Sequence, residues 1–429
     1  MPEPLDTRDR DFARRLKALW NATPAEQGKV SEQVASIIED VRTRGDDALV
    51  ALALKFDGQQ LARRDLVVDP EEIDRSAKLA TPEQMSAIDA ARQRIQAFHR
   101  NQIPRDRTWT DNLGVRLGWR WTPIARCGLY IPGGAAAYPS TALMAAVPAT
   151  LARVPHLCAT TPVGMSLPPL LVYAIREAGI GRLYRIGGAQ AVAALALGTE
   201  SVQAVDKIAG PGNRYVAEAK RQLFGVVGID RIAGPSEVVI VCDSAAPPDW
   251  IAADLVAQAE HDVDARVLAI CCDADHARAV ISAVFREMQR SMPHGIAPSE
   301  ASGSSRVVLA RDVGEACAIA NDLAPEHVQL MVKNHERHME AVDAAGLVLG
   351  GIWTPAAISD YIAGPSHILP TAGSARFASG LSVEDFMTRV SLLETDEAAF
   401  RRLAPHASEI ARAEGLNAHR WSIKIRTQV

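Results

Sequence analysis

The sequence predicts an α/β fold with two Rossmann-like, doubly wound domains, preceded by helices and followed by a helical C-terminal tail. Three observations predict it. Strand-like and helical segments alternate from Ala125 onward, the alternation begins afresh at Glu237, and glycine-rich turns follow the first set of strands. A strand, helix, strand order implies a parallel sheet. The 429 residues are enough for two such domains.

The predicted elements follow in chain order. The N-terminal segment is polar and predicted to be helical, with breaks at Pro24, Pro70 and Pro82. The first α/β series has helices at 141–152 and 169–178 and strands at 128–132, 157–161, 182–186 and 204–208. The second series has helices at 250–261, 276–288, 314–322 and 335–345 and strands at 237–242, 266–272, 306–309, 327–332 and 347–349. Residues 397–429 form an Arg-rich helical tail, which we expect to pack on a partner subunit.

Composition and charge indicate a cytoplasmic enzyme that acts on a small molecule. The net charge is −5, and lysine and arginine are scattered rather than gathered in a stripe that could follow a nucleic-acid backbone. The charged N-terminus is unlike a secretory signal, and the longest apolar stretch, 141–154, is short and interrupted by Pro148. We therefore expect neither nucleic acid nor a membrane as a partner.

The 6 cysteines form no CxxC pair and mostly lie in apolar, strand-like runs, which favours buried free thiols. Cys127 directly precedes a glycine-rich turn, where a thiol could attack an aldehyde intermediate. Nothing beside it in the sequence would lower its pKa. We therefore expect Cys127 to be structural.

Glycine-rich turns at 131–134, 186–190, 210–213 and 234–236 follow successive predicted strands. Glycine lets the backbone approach a ligand, and a helix that starts there presents N–H groups to an anion. None of the turns matches G-x-G-x-x-G, so the Rossmann fingerprint is incomplete. Their recurrence favours a nucleotide site; the alternative is that they are only tight strand-to-helix turns.

The segment 249–261 is predicted to be a helix that places Asp254, Gln258 and His261 on one stripe. Gln258 and His261 would then present an amide oxygen and an imidazole to a common point. The alternative is an ordinary solvated helix face.

Glu326 and His327 are adjacent at the start of an apolar strand. A carboxylate and an imidazole are the usual general bases for alcohol oxidation and water activation, although a surface pair is an equally good interpretation. Asp360 lies in a region dense in Gly, Ser and Pro, and such loops commonly line sites. His419 belongs to no pattern of its own.

Taken together, the motifs resemble the histidinol dehydrogenase family, from the helical N-terminus to His419. The residues that carry the resemblance are Gly128-Leu-Tyr-Ile-Pro-Gly-Gly134, Tyr138-Pro-Ser140, Gly187-Gly-Ala-Gln-Ala-Val192, Asp206-Lys-Ile-Ala-Gly-Pro-Gly-Asn213, Ile232-Ala-Gly-Pro-Ser-Glu237, Gln258-Ala-Glu-His261, Ala324-Pro-Glu-His327 and Glu414-Gly-Leu-Asn-Ala-His419. One departure is Gly364-Pro-Ser-His367, where many members have Gly-Thr-Asn-His; the histidine is kept, so only the local loop shape is in doubt.

The resemblance implies oxidation of L-histidinol to L-histidine with two NAD⁺, the last steps of histidine biosynthesis. It implies one Zn²⁺ per subunit, held by Gln258, His261, Asp360 and His419. It implies NAD⁺ contacts at Tyr130, Gln190 and Asn213. It further implies substrate contacts at Ser236, Gln258, His261, His327, Asp360, His367, Glu414 and His419. His327 would take the hydroxyl proton, and Glu326 would activate water to hydrate the aldehyde.

The resemblance also implies a homodimer with shared active sites, in which swapped C-terminal tails supply the last zinc ligand. The expected domains are an N-terminal helical arm (1–23), an α/β domain of 24–127 plus 237–378, an NAD-binding-like domain (128–236) and a dimerisation tail (379–429). Three alternatives remain. They are a family paralogue that oxidises another chelating primary alcohol, such as a sulfonated diol, a metal-dependent hydrolase with Glu326 as base, and a non-catalytic metal-binding scaffold.

Overall fold

The computed structural model describes residues 3–20, 27–133, 137–260, 264–291 and 306–428. Its strands are β1 (Leu5–Asp6), β2 (Arg107–Thr110), β3 (Arg116–Pro123), β4 (Arg126–Tyr130), β5 (His156–Thr160), β6 (Arg182–Tyr184), β7 (Lys207–Ala209), β8 (Gly228–Ile229), β9 (Glu237–Cys242), β10 (Arg266–Cys271), β11 (Val307–Leu309), β12 (His327–Met331), β13 (Leu347–Gly350) and β14 (Met387–Glu394).

The α-helices alternate with these strands over most of the chain. They are α1 (Phe12–Trp20), α2 (Gln27–Arg44), α3 (Asp46–Asp57), α4 (Pro70–Ala77), α5 (Pro82–His99), α6 (Pro139–Leu151), α7 (Pro169–Glu177), α8 (Gly188–Leu197), α9 (Arg214–Leu223), α10 (Pro248–Ala259), α11 (Ala274–Ser291), α12 (Val313–Leu323), α13 (Glu336–Met339), α14 (Ala356–Tyr361), α15 (Glu397–Ala413) and α16 (Asn417–Ile425). Within the described ranges, no helix is both long and apolar enough to cross a membrane.

Two parallel sheets organise the molecule, which confirms the predicted α/β class. One has five strands in the order β6-β5-β4-β7-β8, and the other has six in the order β1-β11-β10-β9-β12-β13. In each sheet, the first strand of the series, β4 or β9, lies in the middle, and later strands are added on both sides of it. This is the 3-2-1-4-5 order typical of nucleotide-binding sheets. Each sheet separates two apolar cores, because side chains alternate between the faces of a strand.

The N-terminal helices pack differently from the prediction. We grouped residues 24–127 with the second series, but α2 packs on α8 and α9, and α5 packs on α6, all beside the five-stranded sheet. Val34 and Ile95 are fully buried there, and Val67 bridges to Tyr184 at the sheet edge. The amphipathic pattern of a helix shows which of its faces is buried, but it does not show which sheet that face packs against. This part of the domain prediction is wrong.

Residues 5–20, by contrast, belong to the six-stranded sheet. Leu5 and Asp6 pair in parallel with β11, and Leu16 and Trp20 are buried in the core on that side of the sheet. A third, antiparallel sheet of β14, β3 and β2 was not predicted. Strands β2 and β14 are largely exposed, but Leu117, Trp119 and Trp121 alternate along β3, a strand signal that the sequence analysis missed.

A buried ion pair holds the turn between β7 and α9. Lys220 Nζ lies 2.6 Å from Asp230 Oδ1 and donates to the Gly210 carbonyl at 2.5 Å, while Gly210 N donates to Asp230 Oδ2 at 2.8 Å. The two charged side chains are 1% and 0% exposed. Gly210 has φ +119 and packs against the Tyr130 carbonyl so closely that no Cβ would fit. The pair therefore fixes the 210–213 turn against β4.

Replacing Asp230 with alanine should strongly destabilise the fold. The change leaves the Lys220 ammonium buried without its counter-ion, which costs about 3–5 kcal/mol of unfolding free energy. Urea titration followed by circular dichroism measures it. Glu39→Ala, which breaks the exposed Arg42–Glu39 pair, is the matched control and should stay close to wild type. Equal losses in both variants would show that burial of the pair is unimportant.

Candidate active site

The site is built around the first residue of β12. Alternation along the strand turns His327, Gln329 and Met331 to the face covered by α10, where Met331 joins the core with Ile251 of that helix. Glu326 immediately precedes the strand. His327 is 2% exposed and Glu326 is 8% exposed, so the surface-pair alternative for these residues is wrong.

Both members of this pair contact the peptide of Glu237, the first residue of β9. Glu237 N donates to Glu326 Oε2 at 3.0 Å, and His327 Nδ1 lies 3.3 Å from the Glu237 carbonyl oxygen. With its proton on Nδ1, His327 donates to that carbonyl and keeps Nε2 basic. Burial raises the pKa of Glu326 well above its ordinary value, and the hydrogen bond from Glu237 N opposes this rise.

Asp360 lies on the other side of the imidazole. Its Oδ1 is 3.8 Å from His327 Nε2, and its side chain is 15% exposed. Burial raises the pKa of Asp360 from 3.8 to about 7, because the charged form loses hydration. Asp360 is in the last turn of α14, which packs on α10, and Trp250 meets Trp353 edge to face at 4.9 Å between ring centroids.

His367 links this group to the five-stranded sheet. Its Nδ1 lies 2.8 Å from the Asp360 carbonyl oxygen, and its Nε2 lies 3.1 Å from Thr141 Oγ1 at the start of α6. The Asp360 segment is thus held between elements of both parallel sheets.

Gln258 and Asp254 lie on the predicted stripe of α10, and the stripe faces the protein rather than solvent. Gln258 is 4% exposed, and Asp254 accepts a hydrogen bond from Gln329. The helix ends at Ala259, two residues before its predicted end, and His261 lies outside the described residues. Among the residues described, no three His, Cys, Asp or Glu side chains group as metal ligands; His261 is not in that set, and Gln258 offers an amide.

The remaining predicted substrate residues differ in burial. Ser236 is partly buried just before β9, where its carbonyl accepts from Arg266 N at 2.8 Å. Glu414 directly follows α15 and His419 lies in α16, and both are exposed. Within one chain, the structure therefore brings Glu326, His327 and Asp360 together, buries Gln258 on α10 and leaves the C-terminal residues exposed.

Tyr130, Gln190 and Asn213 line one cavity of about 880 Å³ beside the five-stranded sheet, which residues of α2 and α3 close from the opposite side. Gly188 N donates to the Tyr130 hydroxyl at 3.0 Å, and burial raises the pKa of Tyr130 to about 12, so the phenol stays neutral. Asn213 Oδ1 caps α9 by accepting from Tyr215 N and Val216 N. The amino ends of α8 and α9 thus meet at the cavity.

Several residues of the site escaped the sequence analysis. Glu237 contacts Glu326 and His327 through its main chain, Gln329 hydrogen-bonds to Asp254, and Thr141 hydrogen-bonds to His367. Glu237 and Gln329 do leave a signal, since each is a polar residue inside an otherwise apolar strand. Burial raises the pKa of Cys127 to about 12, so its thiol stays protonated at neutral pH, which fits a structural role.

Comparison with known proteins gives a consistent result. A family model described as histidinol dehydrogenase matches residues 21–427. Histidinol dehydrogenase of Cereibacter sphaeroides is 45% identical over 427 residues, covering 99% of this chain and 98% of that protein. The Ruegeria pomeroyi enzyme of the same name is 44% identical, with 99% of each chain covered. The crystal structure of histidinol dehydrogenase from Elizabethkingia anophelis superposes with a TM-score of 0.92 at 31% identity, covering 100% and 98%.

The raised pKa of Asp360 predicts a pH-dependent stability in the absence of metal. Between pH 3.8 and about 7 the folded state binds a proton that the unfolded state has released, so Asp360 destabilises the fold increasingly as pH rises, by up to about 4 kcal/mol. Asp360→Asn removes this effect. In the presence of a chelator, the variant should gain stability relative to wild type between about pH 4 and about pH 8, measured by urea titration. Parallel pH profiles of the two proteins would contradict it.

Proposed function

The chain belongs to the histidinol dehydrogenase family, and we propose that it oxidises L-histidinol to L-histidine through L-histidinaldehyde, reducing two NAD⁺, at the end of histidine biosynthesis. The observation that carries the proposal is the buried Glu326–His327 pair with Asp360 beside the imidazole. Glu326 and His327 are two proton acceptors, which alcohol oxidation and aldehyde hydration both need. Asp360 adds a carboxylate that could bind the cation needed by a chelating substrate.

We assign NAD⁺ to the cavity that Tyr130, Gln190 and Asn213 line, in a Rossmann-like domain of residues 128–236. Two features support this assignment. The amino ends of α8 and α9 border the cavity, and the positive ends of the two helix dipoles suit the pyrophosphate. The cavity also lies after β4 and β7, where the strand order reverses, which is the usual place for a nucleotide.

A zinc ion suits the buried carboxyl and amide groups. Asp360 and Glu326 are both buried carboxyls whose pKa is raised by burial, and a divalent cation would stabilise their charged forms. Gln258 supplies a buried amide oxygen, and His261 and His419 would complete a mixed N/O ligand set that suits zinc. When bound, zinc would hold the nitrogen atoms of L-histidinol and so orient its alcohol carbon.

His327 and Glu326 divide the proton transfers. His327 Nε2 takes the hydroxyl proton while the hydride on the same carbon passes to NAD⁺, leaving the aldehyde. Glu326, whose raised pKa makes its ionised form a stronger base than a solvated carboxylate, takes a proton from water as the water adds to the aldehyde. The protonated His327 gives its proton to the aldehyde oxygen in the same step, which completes the hydrate, and Glu326 then releases its proton to solvent. His327, neutral again, takes a hydroxyl proton of the hydrate as the second hydride passes to the second NAD⁺. We place Glu414 at the amino or imidazole end of the substrate.

A partner subunit accounts for the exposed C-terminal residues. Leu393, Ile410 and Trp421 are 72%, 60% and 55% exposed on β14, α15 and α16, and covering such apolar side chains would favour association with a partner. We propose that residues 379–429 pack on the other protomer of a homodimer and bring Glu414 and His419 to its site. We also propose that the enzyme works in the cytoplasm.

Two NADH should form for each L-histidinol consumed, and turnover should stop when a chelator removes the metal and return with zinc. Absorbance at the NADH band against substrate consumed measures the ratio. Primary alcohols that chelate through other groups, including a sulfonated diol, are the controls and should be poor substrates. A ratio of one, or faster oxidation of the diol, would overturn the proposal.

Shared sites predict complementation between two inactive variants. His419→Asn damages the tail that a chain donates, whereas Glu326→Gln damages the site that a chain carries. A mixed dimer contains one intact site, so remixing equal amounts after mild dissociation should restore about a quarter of wild-type activity. Metal content should fall only in the His419 variant. Activity that never rises above that of the separate variants would show that each chain completes its own site.

A further inference from the structure

We propose that the hydrogen bond between Asp254 and Gln329 is a positioning contact for the active site: it ties the helix that carries Gln258 to the strand that carries His327. This inference rests on the proposed function, because it takes Gln258 as a zinc ligand and His327 as the base. Neither Asp254 nor Gln329 has a part in the chemistry itself.

The strand side of the contact is rigid. Gln329 lies two residues after His327 on β12, so both side chains point to the same face. It is 0% exposed, and β12 is hydrogen-bonded to β9 on one side and β13 on the other. Among the described residues, Gln329 Oε1 has no hydrogen-bond partner. The bond from Nε2 to Asp254 Oδ2, at 2.8 Å, is therefore the contact that holds this buried amide.

The helix side of the contact lies one turn from a proposed zinc ligand. Asp254 and Gln258 lie four positions apart on α10, so their side chains share a face. Burial raises the pKa of Asp254, and the Gln329 hydrogen bond opposes this rise. A buried carboxyl is costly unless it is hydrogen-bonded, and Gln329 supplies that bond. Apolar packing of Ile251 and Leu255 already attaches α10 to the sheet.

The Asp254–Gln329 bond fixes the position of α10 along β12, which apolar packing alone does not do. Side chains such as Ile251 and Leu255 tolerate small shifts of a helix along a sheet, whereas a hydrogen bond has a narrow range of length and angle. A shift of α10 along β12 would move Gln258 relative to His327. The contact therefore sets the distance between the proposed zinc ligands and the base, in the way that outer contacts orient metal ligands elsewhere.

The test compares four variants of the full-length protein by zinc affinity, from competition with a chromophoric chelator, and by kcat with L-histidinol. Asp254→Ala removes the acceptor and should weaken zinc binding by about 10- to 100-fold and lower kcat. Asp254→Asn keeps an acceptor and should stay close to wild type. Gln329→Glu places two carboxyls together and should resemble Asp254→Ala. Combining Gln329→Glu with Asp254→Asn reverses donor and acceptor and should restore zinc affinity.

Asp46→Ala is the control that distinguishes a general loss of stability from a specific loss of zinc affinity. Asp46 is also a buried carboxylate, 2% exposed, and accepts from Thr199 and Ser201 beside the five-stranded sheet. Its replacement should lower the melting temperature and leave zinc affinity unchanged. Wild-type zinc affinity in Asp254→Ala, or no recovery in the double variant, would overturn this inference alone. Failure of the wild-type protein to bind zinc would instead overturn the proposed function.

Discussion

The site depends on the peptide of Glu237. Its N–H donates to the Glu326 side chain, and its carbonyl oxygen lies 3.3 Å from His327 Nδ1, so the main chain of one residue contacts both members of the pair. Glu237 is itself fixed from three sides. β9 is central in its sheet, Arg266 pairs with the Glu237 carboxylate at 2.9 Å, and Ala372 N donates to the same carboxylate at 3.2 Å. The pair is thus positioned by the backbone of the sheet rather than by a loop.

The two parallel sheets are connected at Asp360. Arg94 of α5 donates to the carbonyls of Ile362 and Ala363, and His367 joins the Asp360 carbonyl to Thr141 of α6. Both helices belong to the five-stranded sheet, whereas Asp360 itself faces His327 of the six-stranded one. This arrangement places the Asp360 segment at the contact between the two sheets.

Local patterns in the sequence predicted local structure well. The limits of β9 were predicted to the residue, and helical spacing identified the buried Gln258 and Asp254 stripe. Long-range relations were beyond those patterns. Nothing in the amphipathic spacing of α2 to α5 distinguishes one sheet from the other, and no periodicity connects Gln258 with Asp360. The antiparallel sheet was missed although Leu117, Trp119 and Trp121 alternate along β3. Asp360 was assigned to the predicted zinc ligands only through family resemblance, because residue spacing does not relate positions so far apart in the chain.

Strand β1 covers one edge of the six-stranded sheet. β1 has two residues, and they cover part of the otherwise open edge at β11. Free N–H and C=O groups along a flat sheet edge are a template for other chains. The charged residues Arg8, Asp9 and Arg10 follow β1 and disfavour such pairing. Residues 5 and 6 therefore cover part of an edge to which other chains could otherwise pair.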